Sequence, residues 1–121
     1  MGDFMEIFEA YGGDYRFTMG RFMNNEALYL KFLDMLFEDE NLGKLGTALE
    51  QQDYEAAFTA AHTLKGVSGN MGLTPLFDAV CVLVESIRYK KDPNGYAAQY
   101  QVIQTEFQRA DELRSRLKEG R

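Results

Sequence analysis

The chain has 121 residues, the size of one domain and enough to bury a core without disulfides or structural metals. A net charge of −6, from 19 acidic against 13 basic residues, repels phosphate backbones, so no nucleic-acid partner is expected. No apolar run reaches the roughly 18 residues of a membrane span, and Met1-Gly2-Asp3-Phe4-Met5-Glu6 carries acid where a secretion signal needs base and lacks the Ser or Thr of a myristoylation site.

A cytoplasmic protein fits these features, and no membrane partner is expected. Tryptophan is absent, so Phe, Tyr and six Met must do the heavy packing, and we read the Met and Phe positions as core. The single cysteine, Cys81, lies in the apolar run Ala79-Val80-Cys81-Val82-Leu83-Val84. It has no disulfide partner and no second His or Cys to activate it, so it too reads as core.

In chain order, an amphipathic segment Asp3–Tyr11 ends at the breaker Gly12-Gly13. Asp14 caps a second short helix to Phe22 or Met23, and Asn24 or Asn25 caps a third, Glu26–Phe37. That helix presents Leu28, Leu30, Leu33, Leu36 and Phe37, with Phe32, as a broad apolar face. Asp39-Glu40-Asn41 breaks it and starts Leu42–Gln52. Asp53 opens the central helix, to Met71, and Thr74-Pro75 reads as a cap and first turn of the next, to about Lys90. A loop at Lys91–Gly95 precedes a last helix, Tyr96–Lys118, with Tyr100, Ile103, Phe107, Ala110, Leu113 and Leu117 at spacings of three and four. Strand signals are weak throughout. The fold class expected is all-α, an antiparallel up-down four-helix bundle with short N-terminal helices, forming one domain over 1–121.

The central helix carries the chemistry. Tyr54, Ala57, Phe58, Ala61, Leu64, Val67 and Met71 gather on one side, and the only histidine, His62, projects roughly 150° from the centre of that stripe. It should therefore stand on the outer surface. Positions three, four and seven ahead share its face: Lys65, Gly66 and Gly69, with Glu55 and Thr59 behind. Two glycines inside a helix cost about 1 kcal/mol each relative to alanine. That loss makes sense where another protein's backbone must come close. Lys65 supplies a charge that can steady an anion.

A metal site needs more ligands than one histidine, and no loop has calcium-binding spacing, so no metal or cofactor is expected. Ser68, six residues on, should face the core or the opposite side and cannot pair with His62. A neutral imidazole can itself be the nucleophile. A solvated surface histidine is the bland alternative; Gly72 fits a helix C-cap and Gly69 a fraying end, and neither account covers Gly66.

The run Ala61-His62-Thr63-Leu64-Lys65-Gly66-Val67-Ser68-Gly69-Asn70-Met71-Gly72-Leu73 closely resembles the signature of histidine-containing phosphotransfer (HPt) domains. The Asn24–Leu30 helix entry also resembles that family. The resemblance implies a bundle with the phospho-accepting His62 exposed mid-helix and Lys65 beside the phosphate. It implies partner docking at Gly66 and Gly69, with Thr59 and Arg88 as further partner-binding candidates. The implied partners are receiver domains of a hybrid sensor kinase or a response regulator in a bacterial phosphorelay, which hold the magnesium themselves. No enzyme activity is implied: the family neither binds ATP nor autophosphorylates. The opening Met and the end after the last helix favour a free-standing chain, and a monomer is expected. A docking module that only sequesters receivers, and a purely structural bundle, are the competing readings.

Overall fold

A computed structural model describes residues 3–119. Met1, Gly2, Gly120 and Arg121, the ends on which the expectation of a free-standing chain rests, lie outside the described residues. Those described form seven α-helices and no strand: α1 (Phe4–Tyr11), α2 (Tyr15–Gly20), α3 (Glu26–Glu38), α4 (Asn41–Glu50), α5 (Tyr54–Asn70), α6 (Thr74–Arg88) and α7 (Tyr96–Glu119), with a 3₁₀ turn at Pro93–Gly95.

Local chemistry sets most of the helix starts. The carboxylates or amide oxygens of Asp3, Asp14, Asn25 and Asp53 each accept from a backbone N–H of the first turn they open. The break between α3 and α4 is likewise a side-chain event: the Asp39 carboxylate takes both the N–H and the side-chain amide of Asn41 at 2.7 Å. At the start of α6 the expectation fails. Thr74 is already helical, and Leu73 holds the cap position without a capping side chain. The turn is too short for a separate cap. Leu73 N–H closes α5 by bonding back to Ser68 C=O, while the Leu73 side chain is fully buried.

Gly72 makes that tight turn. It sits at φ +68°, bonds its N–H to Gly69 C=O, and completes the αL end of α5. A Cβ there would collide with the buried Thr18 hydroxyl. Gly72→Ala therefore adds left-handed strain of about 1–2 kcal/mol to a steric clash of similar size. Thermal unfolding should show a loss of about 3 kcal/mol, roughly 10 °C in Tm; a wild-type Tm in this variant would remove the explanation.

Cross-contacts fix the topology. Asp34–Arg114, Phe37–Phe107 and Leu42–Tyr100 pair α3 and then α4 against α7 in antiparallel order. Phe58–Arg88 and the approach of Gly69 to Phe77 set α5 antiparallel to α6. Ser86–Gln99 begins α6 against α7, and Tyr54–Tyr96 brings the starts of α5 and α7 together. The result is an up-down four-helix bundle whose first arm is the broken pair α3–α4. It runs along α7, whose 24 residues span about 36 Å. The short helices α1 and α2 pack on each other, and α1 lies on α7.

The core keeps the expected positions of α6 and α7 and revises others. Tyr29, not Phe32, is the buried aromatic of α3. Edges of Phe4, Phe8 and Phe22 surround its ring, and its hydroxyl donates to Met71 C=O at 2.7 Å. Phe32 is exposed, as are Met5, Phe17, Met23 and Met35, so Met and Phe are not uniformly core; Met23 is 79% exposed. Cys81 is half-buried rather than in the core, within reach of the Lys65 charge on α5. Burial pushes its thiol pKa up, with the nearby Lys65 charge opposing. A neutral thiol of this kind is a poor nucleophile.

Candidate functional site

The helix α5 brings the predicted residues together. His62 is exposed on it, and the buried side is Ala57, Ala60, Ala61, Leu64 and Ser68. Small residues on that side let α4 and α6 pack closely, which is what leaves the imidazole outside. Ser68 is buried, as expected, and its hydroxyl donates to Leu64 C=O at 2.7 Å. It cannot serve His62.

On the exposed face, Thr59 and Thr63 turn their hydroxyls back to the carbonyls of Glu55 and Thr59. Their protons are spent within the helix, and the imidazole has no hydrogen-bond partner among the described residues. Thr59 keeps only acceptor capacity for a partner. Lys65 is half-buried and lies toward α6, close enough to Cys81 to act on its thiol. Arg88 is exposed at the end of α6, its guanidinium 5.5 Å from the centre of the Phe58 ring. The four ion pairs among the described residues belong to Arg109, Arg114 and Lys118. Lys65 and Arg88 thus keep their charges unneutralised by carboxylates, near the one imidazole of an acidic protein.

The two glycines of this face differ. Nothing lies within 4 Å of a Cβ placed at Gly66, so its smallness has no reason inside the molecule. At Gly69 a Cβ would sit 3.1 Å from the Phe77 ring. Its smallness serves the packing of α5 on α6, whatever else it does. The guanidinium of Arg21 also holds this end of α5, donating to Gly69 C=O at 2.8 Å and Asn70 C=O at 3.1 Å.

Sequence reasoning missed Phe58 as part of the site. It was counted in the apolar stripe, yet it is only half-buried and its ring stacks on His62, centroids 5.8 Å apart and planes within 13°. The signal was available: Phe58 lies four residues before His62, and such positions touch on a helix.

In this all-α bundle the imidazole stands on an open helix face and not inside an enclosed cleft. The family model of the Hpt domain matches residues 28–117, most of the chain, and the protein belongs to that family. Membership carries a phosphotransfer role in two-component phosphorelays, with receiver domains as partners and no kinase activity in the domain itself. No curated protein and no solved structure matches the chain. Among the described residues, no group of three or more His, Cys, Asp or Glu could hold a metal, and no helix is long and apolar enough to cross a membrane.

Proposed function

We propose that His62 is the phosphoryl carrier: it accepts the group from an aspartyl phosphate on one receiver domain and passes it to an aspartate on another. The observation that carries this reading is an imidazole free of hydrogen bonds among the described residues, on a helix face opened by Gly66.

In the first transfer the lone pair of one ring nitrogen attacks phosphorus. A nitrogen–phosphorus bond forms as the phosphorus–oxygen bond to the receiver breaks, and the receiver carboxylate leaves with that electron pair. The attack leaves the ring cationic with the proton still on its other nitrogen, and loss of that proton to water restores a neutral ring. The second transfer reverses these steps on a new carboxylate. Developing charge on the phosphoryl oxygens calls for cations that move little. Lys65 answers on the same helix, and Arg88 from α6 beside Phe58. The bare backbone at Gly66 admits the receiver, and Gly69 and Thr59 border the same contact. In this proposal residues 1–121 are one domain, a cytoplasmic monomer of a bacterial-type relay. Its partners are receiver domains of a hybrid sensor kinase, of a response regulator, or of both.

The test is incubation with a radiolabelled phospho-receiver. Label on this chain that is lost in acid and kept in base is expected, the mark of a phosphohistidine. If receivers from the same organism leave the chain unlabelled, the proposal fails.

A further inference from the structure

We propose that Phe58 is a positioning residue for transfer at His62: its ring fixes the plane of the imidazole so that a docked receiver meets the ring nitrogen in line. The inference rests on His62 being the nucleophile.

Phe58 is half-buried at the edge of the apolar side of α5: one part of the ring packs against the core, and core packing does not account for its stack on the exposed His62. It lines a groove with Tyr54, Ile87, Arg88 and Tyr96, at the end of the bundle where α5 and α7 begin. These neighbours hold its position, and the Arg88 guanidinium rests over the ring at 5.5 Å. Helical side chains lean toward the N-terminus, so His62 leans by default onto the residue four positions earlier. A solvated imidazole on a bare helix would still exchange among its remaining rotamers. Here the nearly parallel stack, with planes within 13°, selects one of them. Stacking uses the face of the imidazole and leaves the nitrogens at its edge. The nucleophile is thus oriented with its bonding capacity unspent.

Orientation matters because the donor is not a small molecule. A receiver docks in one pose and presents its phosphorus along one line, so an imidazole turned away must rotate before it can attack. Holding reactants in a near-attack arrangement is a recognised source of rate. A freely diffusing donor can approach from any side and gains little from it.

The experiment compares wild type with Phe58→Leu, which fills the groove but has no ring, and Phe58→Tyr, which keeps the ring. With a phospho-receiver, Phe58→Leu should lower the maximal transfer rate about tenfold and leave the half-saturating receiver concentration unchanged. Phe58→Tyr should transfer like wild type. With phosphoramidate, a small donor that needs no docking, all three should label His62 at similar rates. In wild type, NMR should show contacts between the two rings.

Three results overturn the proposal: Phe58→Leu transferring like wild type, Phe58→Leu slowed as much with phosphoramidate as with the receiver, or Phe58→Tyr behaving as Phe58→Leu. Absence of ring–ring contacts in wild type overturns it without any transfer assay. Wild type that takes label from phosphoramidate and from no receiver instead overturns the carrier reading of His62, so the two failures are distinct.

Discussion

His62→Ala is expected to abolish phosphoryl acceptance from a receiver while the bundle stays folded. The two halves of that result have separate causes. Chemistry is lost because His62 is the only histidine, so no second imidazole can take the acid-labile, base-stable label. Carboxylates elsewhere would hold phosphate as an acyl phosphate, which base destroys. The fold survives because the side chain is exposed and hydrogen-bonded to nothing among the described residues, and it stacks on the Phe58 ring. Losing an aromatic pair costs about 0.5–1.5 kcal/mol, and alanine in a helix returns about half a kcal/mol over histidine. Thermal unfolding should therefore move by about 1 kcal/mol or less, and helix content by circular dichroism should not change. A variant that still labels places the phosphate on another residue. A variant that loses label and fold together says nothing special about the imidazole, and His62→Gln, which keeps a polar side chain, then serves as the check.

The position of His62 was legible because helical periodicity is a local property. An apolar stripe of period 3.6 fixes which side of α5 is buried, and what lies opposite is exposed whatever packs on the stripe. Helix starts were legible for the same reason at Asp3, Asp14, Asn25 and Asp53, where a side chain bonds to the backbone three residues on. Thr74 misled because its place was set at long range: Leu73 is drawn into the core, and the end of α5 consumes its N–H. In α3, Leu28, Tyr29, Leu30, Phe32, Leu33, Met35, Leu36 and Phe37 leave little polar face, so periodicity cannot choose Tyr29 over Phe32. The choice is made by α1, whose Phe4 and Phe8 close on Tyr29. Phe58 was hidden by the opposite error. It matched the stripe in register, but it lies at the edge, half-buried, where the Arg88 guanidinium of α6 rests over its ring.

Gly66 offers the sharpest separation of folding from function, because the two predict opposite signs. Within the protein, glycine at 66 is a defect: it sits inside a 17-residue helix, and open space surrounds it. Gly66→Ala should stabilise the fold by about 0.5–1 kcal/mol through lower backbone entropy in the unfolded chain. Gly66→Leu should also leave stability equal or improved. Transfer should go the other way. A leucine one turn after His62 projects several ångströms from a surface where the receiver backbone must approach. Overpacking a fitted contact costs about 1–3 kcal/mol, and each 1.4 kcal/mol is tenfold. Gly66→Leu should thus slow transfer on the order of a hundredfold at subsaturating receiver, and phosphoramidate, which needs no docking, should label it at the wild-type rate. Gly69→Leu cannot make this separation, since the same substitution presses on Phe77 within the bundle. If Gly66→Leu is more stable and transfers as well as wild type, the receiver does not dock across this turn of α5. The open backbone beside His62 then needs another reason.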